Sequence, residues 1–202
     1  MTPDPDVPHV DEIRNAVRQR FAEVSCSAEG KCRYPTGKTG AEALGYDPRP
    51  IREAPDVMMA SFCGVGNPFS LGEIRLGEAV LDVGCGAGFD IFCASRLVGT
   101  EGNVCGIDIT PEMVEKAKAN LVQAGVSNTE VQVGNSEDIP FDDNTFDVVT
   151  SNGVLNMSPL KKDTYREILR VLKPDGRLQF ADLVLRGDLA PEDLESLDAW
   201  SQ

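Results

Sequence analysis

Ala79-Val-Leu-Asp-Val-Gly84-Cys-Gly86-Ala-Gly88-Phe-Asp90 decides the fold of this chain. A short, mostly apolar run leads into three glycines at alternate positions, and the residues after them take up helical periodicity. Glycine in such a turn lets the backbone approach a ligand, because a Cβ there would collide with it. Asp108 ends the next β-rich run about 20 residues after Gly88, where a carboxylate can accept from both hydroxyls of a ribose. A glycine turn joined to a strand-terminal acid reads as a nucleoside site. A dinucleotide site needs Gly-x-Gly-x-x-Gly, so that a pyrophosphate can rest on the helix N-terminus, and here Phe89 stands where that last glycine would be.

Downstream, short β-rich runs alternate with helical periodicity. The runs predict strands at Ala79–Val83, Asn103–Asp108, Thr129–Val133, 146–151 and 177–185. Thr110-Pro111-Glu112 reads as an N-cap, a first-turn proline and a first-turn acid, opening a helix that turns Met113, Ala117 and Leu121 inward and stops at Gly125. Tyr165, Ile168, Leu169 and Leu172 mark another helix, closed by the turn Lys173-Pro174-Asp175-Gly176. This alternation predicts an α/β fold, a parallel sheet with helices on both faces. Upstream, Ile13, Val17, Phe21 and Val24 give a first amphipathic helix beginning at Val10. Residues 25–68, rich in Gly, Pro, Cys and Tyr, read as an irregular arm or lid with a short helix near 39–44. The expected organisation is a disordered tail over 1–9, a helix and Cys-containing arm over 10–76, and the nucleoside-binding domain over 77–202.

Composition narrows the function. The 202 residues suit one domain with a real core. Lys+Arg 19 against Asp+Glu 33 leaves a net charge of −14, which repels phosphate backbones and excludes nucleic acid as a partner. The N-terminus shows no signal-peptide pattern and no stretch has the length of a membrane span, so the chain is expected to be cytoplasmic, without a membrane partner and with reduced thiols. Cys85, Cys93 and Cys105 fall in apolar surroundings and read as core residues; Cys26, Cys32 and Cys63 do not. The lone His9 lies in the tail, which leaves no histidine general base.

With Asp82 before it, the Gly-x-Gly-x-Gly turn resembles motif I of the class I S-adenosylmethionine-dependent methyltransferases. Gly134-Asn-Ser-Glu137-Asp-Ile-Pro140-Phe141 resembles that family's adenine-binding loop, with Asn135 where an acid is usual. Residues 146–152 and 172–177 resemble the stretches at its fourth and fifth strands. The resemblance covers residues 76–185 and implies a Rossmann-like sheet and S-adenosylmethionine as cofactor. It places Asp82, Gly84, Cys85, Gly86 and Gly88 at the methionine and ribose end. Asp108 and Ile109 then serve the ribose, Asn135, Ser136 and Glu137 surround adenine, and Ser151 stands nearby. Class I sheets normally have seven strands. Five are readable here, so the domain is expected to be C-terminally short, lacking the terminal strand hairpin. Strand five is then an open edge prone to self-association, partly covered by an amphipathic end over 191–200.

Gly66-Asn67-Pro68, the run from Asp108 to Met113, and Ser151-Asn152-Gly153-Val154-Leu155-Asn156-Met157-Ser158-Pro159 are more specific, and resemble the arsenite methyltransferases. That resemblance implies methyl transfer to trivalent arsenic held by cysteine thiolates, the arsenic being substrate rather than resident metal; soft thiolates suit a thiophilic centre. The family carries a cysteine where this chain has Gly153, and a further one just beyond the region of Trp200. Cys26, Cys32 and Cys63 are therefore the expected acceptor thiols, with As(III) at Cys26 and Cys32. Two other readings stay open: a methyltransferase for another small-molecule acceptor, with Gly153 opening the pocket, and a cofactor-binding module without turnover.

Overall fold

The computed structural model describes residues 10–184. The tail with His9, the amphipathic end over 191–200 and the last residue foreseen for strand five lie outside them.

Five parallel strands form one sheet in the order β3-β2-β1-β4-β5: β1 Ala79–Val83, β2 Asn103–Asp108, β3 Thr129–Val133, β4 Phe146–Asn152 and β5 Leu172–Ala181. The first three have the expected bounds, and β4 runs one residue further. β5 corrects the sequence reading. Pairing begins at Phe146 with Leu172 and resumes at Val148 with Arg177, so the foreseen Lys-Pro-Asp-Gly turn is a bulge inside the strand, with Asp175 at φ +65°. The strand ends at Ala181 rather than 185.

Side chains alternate across the sheet, which is buried on both faces. Val80, Val104 and Val148 join one apolar cluster; Leu81, Cys105, Ile107 and Val149 join the other. The first face is covered by α5 (Phe89–Val98) and α6 (Pro111–Gln123), and the second by α7 (Lys161–Val171). In α6, Met113, Ala117 and Leu121 are buried as the period predicts, and Gly125 follows at φ +70°. The buried side of α7 is Thr164, Ile168 and Val171. Tyr165 and Leu169 face outward, at 39% and 72% exposure, so of the stripe that marked this helix only Ile168 is buried within it, Leu172 being buried at the start of β5.

The N-terminal region departs furthest from expectation. α1 (Val10–Cys26) is as read, but 25–68 is no loose arm. It holds α2 (Gly37–Ala43), α3 (Pro48–Glu53), α4 (Asp56–Met59) and the start of a 3-10 turn at Pro68–Ser70. Tyr46, Ile51, Met58, Met59 and Phe62 are buried in the cluster that contains Phe89, Ile91 and Phe92 of α5. That second covering explains why α5 is apolar nearly all round. Lys116 of α6 donates to the Ser25 carbonyl and, at 2.8 Å, to Ser61 Oγ, fastening the segment at both ends.

The chain runs outward from β1 through β2 to β3, then returns to add β4 and β5 on the other side. The strand order therefore reverses between β1 and β4, and a doubly wound sheet opens its ligand crevice outside the carboxyl ends of such a pair.

Candidate functional site

The crevice begins at the turn after β1. Gly84, Gly86 and Gly88 have φ of +75°, +51° and +93°, each a left-handed position. Their roles differ. A Cβ on Gly84 would lie 2.3 Å from Val154 Cγ2, and one on Gly88 would meet Ala117 of α6 at 3.3 Å, so these two serve internal packing. A Cβ on Gly86 meets no protein atom within 4 Å. Gly86 thus offers its bare backbone to the crevice, which it lines with Gly84, Asp108 and Ile109.

Asp108, at the end of β2, braces this turn. Its Oδ2 accepts from Gly86 N–H at 2.9 Å and its Oδ1 from Thr110 N–H at 2.8 Å. Burial raises its pKa, and those two donors partly offset the effect. The Thr110 hydroxyl, fully buried, stands near Asp108 without a hydrogen bond of normal geometry, on the crevice wall.

Asn135, Ser136 and Glu137 line the same crevice, and Glu137 is engaged. Its carboxylate accepts from Ser158 Oγ at 2.6 Å, from Asn135 Nδ2 at 3.2 Å and from the Arg14 guanidinium. Burial opposes its charge, and the Ser158, Arg14 and Asn135 donors outweigh burial, leaving its pKa below the usual value. Asn135 Oδ1 accepts from Glu137 N–H at 3.2 Å and keeps a second lone pair. Arg14, Val17 and Phe21 bring α1 over this wall. Nothing in the local sequence marked Arg14, which lies 123 residues from its partner.

Ser151 and Cys85 do not line this crevice, though Cys85 lines the chamber behind it. Ser151 is buried and donates to the Val83 carbonyl at 2.9 Å, tying β4 to β1. Cys85 is buried behind the turn, where burial pushes its thiol pKa far up.

Behind the turn the wall is acidic. Asp82 accepts from Thr150 Oγ1 at 2.8 Å, and Asp90 from Tyr46 Oη at 2.7 Å and Asn152 Nδ2 at 3.1 Å. Burial raises both, Asp90 to about 6 and Asp82 well above its ordinary value, the latter helped by the nearby Asp90 charge. Among the described residues no Lys or Arg pairs with either. Asn152 also accepts from Val65 N–H at 2.8 Å and Gly66 N–H at 3.1 Å, binding the N-terminal segment to β4. Asp90 was visible as an acid inside an apolar helix; Tyr46, 44 residues away, carried no such signal. The bare backbone at Gly86 and three buried acids around it fit a nucleoside with a cationic tail, and repel a pyrophosphate.

The thiols divide in two. Cys85, Cys93 and Cys105 are buried, as expected. Cys26 is exposed at the end of α1 and lines neither the crevice nor the two smaller cavities beside it. Cys32 and Cys63 are half-buried and interact. The Cys63 thiol stabilises the Cys32 thiolate, with further help from Tyr34 and Arg20 and against burial, so Cys32 falls to about 6 while Cys63 rises. Cys63 faces the acidic chamber beside Asp82 and Gly86; Cys32 faces a small cavity that includes Gly153.

Residues 74–202 match the family described as "Methyltransferase domain". The chain is 35% identical over 199 residues to the arsenite methyltransferase of Halobacterium salinarum, covering 92% of this chain and 50% of that one. It is 41% identical over 102 residues to the demethylmenaquinone methyltransferase of Lactococcus lactis, covering 50% and 40%. Among solved structures, an arsenic(III) S-adenosylmethionine methyltransferase from Chlamydomonas reinhardtii superposes with TM-score 0.56 at 33% identity over 73% of this chain and 49% of its own. The chain spans about half the length of the arsenite methyltransferase it matches over nearly all its own residues. The match over residues 74–202, the five-strand parallel sheet and these likenesses together make the chain a member of the methyltransferase-domain family, with the Rossmann-like class I fold.

Proposed function

We propose that the chain transfers a methyl group to trivalent arsenic carried on Cys32 and Cys63. The observation that carries this reading is the pair itself: two half-buried cysteines that interact, Cys63 facing the acidic chamber at the glycine turn and Cys32 facing Gly153. The cofactor, when bound, supplies an electrophilic methyl carbon on a sulfonium. Gly86 and Asp108 hold its nucleoside, and Asp82 and Asp90 favour its positive charge. Cys32 captures arsenic first: a sulfur–arsenic bond forms as one hydroxyl departs as water, taking the Cys63 proton. Cys63, now a thiolate, displaces a second hydroxyl, which leaves with a proton from solvent. Arsenic keeps its lone pair throughout, so attack on the methyl carbon needs alignment and no general base. The arsenite methyltransferase likeness across 92% of the chain supports arsenic over a quinone-type acceptor, since the demethylmenaquinone methyltransferase likeness spans half of it.

Cys32→Ser and Cys63→Ser separate this reading from its rivals. With arsenite, a small thiol reductant and labelled cofactor, the unaltered chain and Cys26→Ser should release methylated arsenic, and either of the other two variants should lose at least tenfold in rate. Equal rates in all four would overturn the assignment of the thiols, and cofactor binding without any arsenic methylation would overturn the acceptor.

A further inference from the structure

Beside the cofactor crevice lies a second, smaller cavity, walled by Arg20, Phe21, Cys32, Tyr34, Gly153 and Asn156. Phe21, Gly153 and Met157 also line the crevice, so these residues form the partition between the two spaces. At Gly153 the partition is bare backbone. Its φ of +73° disfavours any side chain, and a Cβ there would stand 3.2 Å from Val65 Cγ1.

Two independent features mark this cavity as built for a ligand. One is Cys32, a half-buried cysteine on the same wall as Arg20 and Tyr34, whose hydroxyl donates to the Cys63 carbonyl at 3.0 Å. The other is Asn156: its Oδ1 is buried and has no hydrogen-bond partner among the described residues. An amide oxygen left in that state costs free energy, and native structures leave few such groups without a reason. The Asn156 backbone N–H is meanwhile satisfied by Asp182 Oδ2 at 2.8 Å, so the loop itself is anchored.

We propose that this cavity is the acceptor site, in which Asn156 Oδ1 accepts a hydrogen bond from a hydroxyl on the thiol-bound centre, across a partition from the cofactor crevice that at Gly153 is backbone alone. The site thus selects a thiophilic acceptor that retains a hydroxyl after sulfur has bound it, as trivalent arsenic does when two thiolates have replaced two of its three hydroxyls. This deepens the arsenic reading and rests on it.

Two probes separate the Asn156 contact from thiol capture: arsenite, which carries hydroxyls, and methylmercury, which binds thiolate and carries none. Asn156→Ala removes a buried oxygen that has no hydrogen-bond partner among the described residues, so the variant should unfold at the same temperature as the parent or higher. Arsenite affinity, read by equilibrium dialysis, should fall about tenfold, the worth of one hydrogen bond whose partner would otherwise stay buried and unpaired. Methylmercury binding at Cys32 should stay within twofold. Asn156→Asp, which keeps an oxygen in place, should recover part of the arsenite affinity. Unchanged arsenite affinity in Asn156→Ala, or a parallel loss of both probes, would overturn the role of Asn156 and leave the arsenic reading standing. Methylmercury capture by the unaltered chain without any arsenite binding would overturn both.

Discussion

Gly84 and Gly86 are two residues apart, share a left-handed backbone and look equivalent in the sequence, yet they answer to different constraints. Alanine at 84 would drive its Cβ into Val154, whereas alanine at 86 would project into open crevice. Each carries the roughly 1–2 kcal/mol cost of a left-handed non-glycine residue. Gly84→Ala adds overpacking of about 1–3 kcal/mol and should therefore lower the unfolding midpoint clearly more. Gly86→Ala should fold with the smaller loss but bind S-adenosylhomocysteine at least tenfold more weakly. Thermal unfolding alongside calorimetric titration checks both halves; equal destabilisation with equal binding would contradict the division of labour. At this scale the sequence was only partly legible. Gly86, Asp108 and Asn135, singled out in the sequence, line the crevice, and a glycine turn and a strand-end acid are local signals. The partner of the Ser151 hydroxyl, the Val83 carbonyl, was not legible, because it depends on the pairing of β4 with β1.

Among elements, α1 does the least expected work. Its apolar stripe predicted a helix but not a position, and that helix brings Arg14 to Glu137 and Phe21 to the crevice wall. The Arg14 side chain is 24% exposed and that of Glu137 only 4%, so this ion pair is screened less than a surface one. Arg14→Ala should release α1 from the crevice and quicken cofactor dissociation several-fold in a stopped-flow chase, with a smaller effect on association. An unchanged dissociation rate would mean that the helix is held by its apolar face alone. The strands were legible because each apolar run is bounded by glycine or a turn. The packing of 25–68 was not, since its defining contacts, Tyr46 with Asp90 and Val65 with Asn152, join residues 44 and 87 apart in sequence. The Lys-Pro-Asp-Gly bulge misled for the opposite reason: its chemistry is that of a turn, and only pairing with β4 makes it part of a strand.

For the molecule as a whole, the same strand reversal that opens a crevice in any doubly wound sheet has here been given an acidic lining and a wall of thiols. Asp82, Asp90 and Asp108 gather around the glycine turn with no basic partner among the described residues, on a chain whose net charge is already −14. That electrostatic setting decides between the two nucleoside classes the fold can take, because it attracts a sulfonium and an ammonium and repels a pyrophosphate. Side-by-side calorimetric titration of the unaltered chain with S-adenosylmethionine and with NAD tests this most directly. The account predicts saturable binding of S-adenosylmethionine, at least a hundredfold tighter than any binding of NAD; NAD binding of equal or greater strength would contradict it.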